Sequence, residues 1–345
     1  MPRRPGAVWP PGPPVVSVLL PARDAARTLP ACLASVARQT LPGWECLVVD
    51  DGSGDDTGGI ARAARDADGR FRVVSLGRCG LVSALVAGLA ECRGRYVARM
   101  DADDLMHRDR LALQVAALDA DASLAGVGTH VRMIPRSGLT ERRREYEAWL
   151  NSLASRSDVQ RDAFVECPVA HPTLMLRREV FDEFGYRDVG WPEDYDLLLR
   201  LLAGGQQVGV VTRRLLAWRD SPSRESRTHV RYSRDAFTRC KAHHLAQGFL
   251  HRSEEYVLWG YGDTGRELRI ALLRHGRRPS HIVEIKAGRL GQRIHGAPVV
   301  PPAQLASLRG VPVVVSVARP APRALIRSTL AEMGFVELRD FVCAA

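Results

Sequence analysis

No apolar run in this chain approaches the ~20 residues that a membrane-crossing helix needs. The opening stretch, residues 1–14, also lacks a hydrophobic signal region; rich in proline and glycine, it is expected to form a disordered or polyproline lead-in. Cysteine is sparse and scattered. The seven cysteines (Cys32, Cys46, Cys79, Cys92, Cys167, Cys240 and Cys343) include no Cys-x-x-Cys, which argues against structural zinc and for reduced core thiols in a cytoplasmic protein. Negative charge is outweighed, with 39 Asp and Glu against 49 Lys and Arg and a net charge of +10. The excess is largely arginine, which favours phosphate-bearing partners: a nucleotide, anionic lipid headgroups or nucleic acid. Charge alone does not choose among them. With 345 residues, 46% of them hydrophobic, the chain can bury a substantial core and should divide into about two domains.

The most telling stretch is Tyr96 to Leu105, where a short apolar run suited to a buried strand ends in Asp101, Asp103 and Asp104. On an extended backbone Asp101 and Asp103 would share a face and Asp104 would point away, so two negative charges gather at one strand end. Oxygen ligands of this kind suit Mg2+ or Mn2+, which commonly bridge to substrate phosphates. The same residues also suit a plain strand-to-helix turn, with Asp103 or Asp104 capping a helix that begins near His107.

Upstream, Val15 to Leu20 is a continuous apolar run of the sort found in parallel sheets. Thr28 and Pro30 then open a helix. A strand at Cys46 to Val49 runs into the acidic, glycine-bearing turn Asp50 to Thr57. A helix, a strand at Phe71 to Ser75, a helix from about Gly80 to Glu91 and the Tyr96 strand follow. This repeated βαβ pattern predicts an open, mostly parallel sheet whose ligands bind beyond the carboxyl ends of the strands. Three of those ends carry Arg23-Asp24, Asp50-Asp51 and the Asp101 to Asp104 run.

Five segments resemble a family 2 glycosyltransferase with the glycosyltransferase A fold: Ser-Val-Leu-Leu-Pro at 17–21, Val-Val-Asp-Asp-Gly-Ser at 48–53, Gly-Leu-Val-Ser-Ala-Leu from Gly80, Ala-Arg-Met-Asp-Ala-Asp-Asp from Ala98, and Pro-Glu-Asp-Tyr-Asp-Leu from Pro192. The resemblance covers roughly Val15 to Leu250. It implies inverting transfer of a sugar from a nucleotide-diphosphate donor, a UDP-sugar being favoured, with Mn2+ or Mg2+ at the diphosphate. By resemblance, Pro21, Ala22 and Arg23 border the donor, Asp51 holds the base, Asp103 binds the metal, and Asp101 contacts ribose or the metal's water. Arg78 matches a basic residue near the diphosphate. One departure is Ala22-Arg23-Asp24, where the family usually has an aromatic residue and Asn. Asp50 and Asp51, as acceptor-only groups, suit a pyrimidine N–H or ribose hydroxyls; an Asx-type turn around Gly52 is the simpler alternative.

Further along, Tyr146, Trp149, Leu150 and Leu153 form a helical stripe. His171 resembles a His-Pro-Thr element near the active site, although a core histidine reads equally well. Gly190 to Asp196 opens a helix, and by resemblance Asp194 is the base that takes the acceptor's proton, next to Glu193, with the Trp191 ring as a surface for a sugar. Asp196 is expected to cap or to pair with an arginine such as Arg200. The basic loop from Trp218 to Arg227, with Arg219 and Arg224, is like the one that covers the diphosphate in relatives.

Past Leu250 the pattern changes. Strand, Gly260-Tyr-Gly-Asp-Thr-Gly265 and helix follow in order, and Glu284 ends a second strand at about the spacing of a ribose ligand. Gly260, Gly262, Gly265 and Glu284 thus form a possible nucleotide site in a small Rossmann-like module, with a purely structural role as the alternative. The expected architecture is α/β: a glycosyltransferase A-type domain over 15–252, with a mixed, mostly parallel sheet flanked by helices, followed by a Rossmann-like domain over 253–345. The two are expected to be separable near Arg252. The function expected is metal-dependent transfer to a hydroxyl of a glycan, lipid-linked or protein acceptor, in the cytoplasm or at the inner face of a membrane with peripheral membrane contact, and without nucleic acid. The rivals are a nucleotide- or NAD-binding enzyme, or a non-catalytic binding protein, built on the C-terminal glycines.

Overall fold

The computed structural model describes residues 12–221 and 224–345; most of the expected 1–14 lead-in lies outside them. The chain forms two compact units that interleave along the sequence. Unit 1 holds most of 12–159, 169–189 and 204–224, and unit 2 holds 160–168, 190–203 and 225–345.

Unit 1 opens with β1 (Val16–Ala22), α1 (Leu29–Ala37), β2 (Trp44–Asp51), α2 (Thr57–Ala67), β3 (Phe71–Leu76), α3 (Leu81–Glu91) and β4 (Tyr96–Arg99). All seven residues of β1 are buried, as a strand covered on both faces requires. Pro30 fits the first turn of α1, but Thr28 makes no side-chain cap there and its hydroxyl instead donates to the Ala25 carbonyl. The pair β5 (Leu105–Met106) and α4 (Arg110–Ala120) follows the acidic turn. The helix thus starts at Arg110 with Asp109 at its cap position, so neither Asp103 nor Asp104 is used as a cap. Then come β6 (Leu124–Ile134), α5 (Glu141–Leu150), α6 (Arg156–Asp162), β7 (Met175–Arg177) and α7 (Arg178–Phe184).

After α8 (Glu193–Ala203), which belongs to unit 2, β8 (Gln207–Arg219) completes the first sheet. Its order is β3-β2-β1-β4-β7-β6-β8-β5. Strands β1 to β4 run parallel, whereas β7 is antiparallel to both β4 and β6, and β5 is antiparallel to β8. The register pairs Ala22 with Asp50, Asp51 with Leu76, and Leu19 with Arg99. The loops after β1, β2 and β4 therefore leave the sheet at one edge, as the βαβ pattern predicted.

Unit 2 contains α8, α9 (Glu225–Thr228), α10 (Arg234–Gln247), β9 (Glu255–Trp259), α11 (Asp263–Leu273), β10 (Arg278–Val283), β11 (Arg293–Ile294), β12 (Ala297–Val300), β13 (Val313–Val315), α12 (Pro320–Glu332) and β14 (Phe341–Cys343). The second sheet runs β11-β12-β10-β9-β13-β14, and from β12 to β14 every neighbouring pair is parallel.

The break expected at residue 252 falls between the two sheets, yet the packing does not divide there. Ala242, Leu245 and Ala246 of α10, together with Leu250, are buried in one cluster with Tyr256, Leu258, Leu268 and Leu272. Helix α10 belongs to the second sheet because its apolar face has that sheet and α11 to cover it, which local periodicity could not reveal.

A chain ended at Arg252 strips those partners and should lose more than the C-terminal sheet. Each large buried aliphatic side chain uncovered this way forfeits ~1.5–3 kcal/mol of burial. The truncated protein should precipitate or bind the dye ANS strongly. A soluble product with a cooperative melt and no dye binding would show that α10 is held by other contacts.

Candidate active site

Strand β4 delivers its carboxylates into a tight turn rather than an extended segment, so the expected alternation of faces does not apply. Ligand atoms of Asp101, Asp103 and Asp104 all lie within 4.8 Å of one another, which brings Asp104 into the cluster instead of away from it. Asp101 is tied by two arginines, with Arg99 Nη2 at 2.6 Å from Oδ1 and Arg224 Nη2 at 3.2 Å from Oδ2. Asp104 is fully buried and accepts the Arg219 backbone N–H at 2.7 Å through Oδ1. Its second oxygen, Oδ2, is buried and accepts no hydrogen bond from the described residues. Arg219 also donates from Nε to the Asp103 carbonyl at 2.8 Å. Arg224 donates to the Arg219 carbonyl at 2.8 Å and lies over the Trp218 ring, 5.1 Å from its centre.

These contacts divide the three carboxylates electrostatically. Burial opposes charge on Asp101, but Arg99 and Arg224 outweigh it and hold the carboxyl below its usual range. Burial and then Asp101 raise the Asp103 carboxyl, and the same two causes raise Asp104 well above the carboxylate range. Negative charge is thus compensated best at Asp101 and less fully at Asp103 and Asp104, where Arg224 offsets part of it. A buried acceptor without a donor is costly, and two hard oxygen donors side by side fit a divalent cation. The residues present therefore suit Mg2+ or Mn2+: Asp101, Asp103 and Asp104 all offer ligand atoms, and Asp101 is also held by the two arginines. Arg99 and Asp104 are the residues that the sequence reading missed. The signal for Arg99 was a lone cation closing an otherwise apolar strand.

The neighbouring loops contribute a second group. Asp51, at the end of β2, accepts the Cys79 N–H at 2.7 Å and the Gly80 N–H at 3.1 Å, so its carboxylate secures the loop before α3. Gly52 is required beside it. Its φ is +62°, and a Cβ there would come within 2.6 Å of the Arg78 backbone nitrogen. Asp50 makes the local turn, accepting the Ser53 N–H at 3.1 Å. Arg23 reaches to 3.7 Å from Asp51 Oδ2. Pro21 and Ala22 are buried in β1, and the Arg78 side chain is exposed. His171 is buried against Tyr186, with Nε2 2.8 Å from the Tyr186 hydroxyl. Burial and then Arg99 hold its pKa well below the usual histidine value, so it is a neutral residue in the support behind Asp101.

The remaining candidates stand in unit 2. Helix α8 begins with three carboxylates whose environments differ. Glu193 is buried and accepts the Tyr232 hydroxyl at 2.7 Å. Asp196 is fully buried; it binds Arg200 Nε at 2.7 Å, Trp191 Nε1 at 3.1 Å and His244 Nε2 at 3.2 Å. Asp194 alone of the three is partly exposed. The Trp191 ring lies 5.2 Å from that of His243, so His243 covers part of its surface. Gly260, Gly262, Gly265 and Glu284 come together at the carboxyl end of β9 and β10.

A mixed sheet whose parallel half ends in acidic turns defines the glycosyltransferase A type of fold. Residues 17–185 match the Glycosyl transferase family 2 model. Over 198 residues the chain is 31% identical to the putative glycosyltransferase EpsE of Bacillus subtilis, covering 56% of this chain and 68% of that protein. The chain belongs to glycosyl transferase family 2. It is also 34% identical over 125 residues to the chondroitin synthase of Escherichia coli, which covers 36% of this chain and only 18% of that longer protein. In fold, it resembles residues 1–349 of S. aureus TarS in complex with UDP-GlcNAc, with a TM-score of 0.55 and 16% identity over 75% of this chain and 72% of that one.

Asp51 offers a test by pH. Burial works against its charge, but the Cys79 and Gly80 donors and Arg23 prevail and lower its pKa. A lowered folded value gives stability that is present above the unfolded value of ~3.9 and is lost as pH falls through the folded one. Asp51→Asn should lower stability at pH 7 by ~1–2 kcal/mol and by much less near pH 3. An equal loss at both pH values in denaturant titrations would show that the charge on Asp51 is not what holds the loop.

Proposed function

We propose that the chain transfers a sugar, with inversion at the anomeric carbon, from a nucleoside diphosphate donor to a hydroxyl of a glycan or lipid-linked acceptor, and that the donor binds with a divalent metal. The observation that carries the reading is the cluster of Asp101, Asp103 and Asp104, with ligand atoms within 4.8 Å of one another, beside Arg219 and Arg224. Asp103 and Asp104 would hold Mg2+ or Mn2+, which when bound supplies positive charge for the donor's diphosphate. Arg219 and Arg224 add fixed positive charge for the departing diphosphate, where a preorganised cation lowers the barrier most. Asp51 and Arg23 border the nucleoside end. A uridine donor is favoured; the S. aureus protein that is alike in fold binds UDP-GlcNAc.

Asp194 is the proposed base. As the acceptor oxygen forms its bond to the anomeric carbon, the bond to the diphosphate breaks and the hydroxyl proton passes to the Asp194 carboxylate. Glu193 and Asp196 are poor rivals, since Tyr232 takes the first and Arg200, Trp191 and His244 take the second. Trp191 presents an aromatic face for an acceptor sugar. A glycan acceptor is favoured by the relative named as a chondroitin synthase. The proposed place of work is the cytoplasm or the inner face of a membrane. Among the described residues no helix is long and apolar enough to cross one.

Titration of UDP-sugars into the protein should give binding in manganese that chelator abolishes, and Asp103→Ala should reduce the manganese affinity to about the chelator level. Equal affinities for both proteins would rule out the metal site. Asp194→Asn keeps shape but cannot take the proton, so turnover should fall by ~10²-fold or more at nearly unchanged donor affinity. Asp196→Asn should act mainly on the melting temperature. A fully active Asp194→Asn protein would remove the base.

A further inference from the structure

The C-terminal sheet has more of a nucleotide-binding fold than its sequence suggested. Taking β9 as the first strand, β10, β12, β13 and β14 follow in the spatial order 3-2-1-4-5, all parallel. That is five of the six strands of a doubly wound dinucleotide fold, with the reversal of order falling between β9 and β13. Ligands of such sheets bind in the crevice at that reversal, beyond the carboxyl ends of the strands.

The three glycines of the β9–α11 loop fill different steric roles there. Gly260 has φ +97°, and a Cβ on it would come within 2.7 Å of Val317 Cγ2 on the far side of the crevice. A Cβ on Gly265 would collide with the Gly260 carbonyl oxygen, so this glycine lets α11 pack against the strand end. Gly262 has an ordinary φ of −81°, and a Cβ on it would meet nothing within 4 Å. Sterics do not require a glycine at 262; open space beside the backbone is what a phosphate needs for close approach. The N–H groups of Asp263, Thr264 and Gly265 open an eleven-residue helix and have no helical acceptor, and the helix dipole adds positive potential. The Asp263 side chain is exposed and pairs with Arg266 at 3.5 Å.

Two buried polar atoms around this loop find no hydrogen-bond partner among the described residues. Ser316, only 4% exposed, follows β13 with its Cβ against the first turn of α11, and its Oγ has no partner. Glu284, 9% exposed, follows β10, and its Oε2 accepts no hydrogen bond; the nearest cation, Arg289, is 3.8 Å away. Arg289 also donates to the Tyr261 carbonyl at 3.1 Å, linking the glycine loop to Glu284. A carboxylate with a spare oxygen at the end of the second strand is placed to accept the hydroxyls of a ribose.

We propose that unit 2 carries its own nucleotide site, in which the Gly260–Gly265 loop and the start of α11 receive a diphosphate and Glu284 receives the adjoining ribose. The ligand class is a ribonucleoside diphosphate group, supplied free, as a dinucleotide or as a nucleotide sugar. It is independent of the donor site in unit 1.

The test is calorimetric titration of the full-length protein with ADP, NAD+ and UDP, each in chelator and in an Asp103→Ala background, so that metal-dependent donor binding is silent. At least one of the three should bind one-to-one. Gly262→Asp, whose side chain has room and whose backbone is unstrained, should weaken that binding on the order of tenfold or more by placing a carboxylate at the phosphate position, with no change in melting temperature. Glu284→Gln should abolish any preference for ADP over 2′-deoxy-ADP while leaving the protein folded. The ligand that binds best identifies the source. No binding by any of the three at about 1 mM, or unchanged affinity in both variants, would overturn the proposal. Manganese-dependent UDP-sugar binding by the chain with native Asp103 reports separately on the donor site.

Discussion

The site in unit 1 depends on an imbalance of charge at the end of β4. Three carboxylates are gathered in one turn, but the arginines reach them unequally. Asp101 receives two guanidinium groups, the hydrogen bond that Asp104 accepts from the described residues is a backbone N–H, and burial and then Asp101 raise the carboxyls of Asp103 and Asp104. Burying like charges side by side is unfavourable unless a cation joins them. A divalent cation bound there, as proposed, would relieve that repulsion. Strand β8 makes this possible. It crosses to pair with β5 and ends at Arg219, so a residue 115 positions from Asp104 satisfies one of its oxygens and leaves the other.

The same economy of acidic side chains recurs away from that turn. Asp50 and Asp51 are adjacent, yet Asp50 closes a local turn on Ser53 while Asp51 anchors the neighbouring loop through Cys79 and Gly80. At the start of α8, Glu193 and Asp196 are buried and hydrogen-bonded, and the partly exposed Asp194 lies between them in sequence. Helical geometry explains the contrast, because residues two apart are turned about 200° from one another. An acid on the buried side must find partners such as Arg200 and His244, whereas its neighbour lies on a different side of the helix.

The second sheet applies another device to the same class of chemistry. In unit 1 negative side chains would recruit a cation to meet phosphate; in unit 2 a helix terminus and an open glycine would meet phosphate directly. Ser316 and Glu284 retain unsatisfied oxygens at opposite sides of the glycine loop, each carried on a different strand end. A purely structural module has no evident reason to leave both without a hydrogen bond.

Much of this was legible in the residues alone. Continuous apolar runs identified the parallel strands, alternating helices predicted the open sheet, and the acidic turns were expected together at one edge of it, because periodicity and turn chemistry are local properties of a chain. Resemblance in five short segments pointed to the family that the comparisons bear out. Pairing of Asp196 with an arginine such as Arg200 was one of the expected outcomes, and the two meet at 2.7 Å. What the sequence could not determine was which carboxylate would be neutralised. Alternation along an extended strand sent Asp104 away from the cluster, but the chain turns after Arg99, and burial together with Arg224 and Arg219 decided the outcome. Nor did it reveal that α10 packs with the second sheet, or that five parallel strands stand behind the C-terminal glycines. Those facts depend on groups far apart along the chain, and only tertiary packing brings their charges and apolar faces within range of one another.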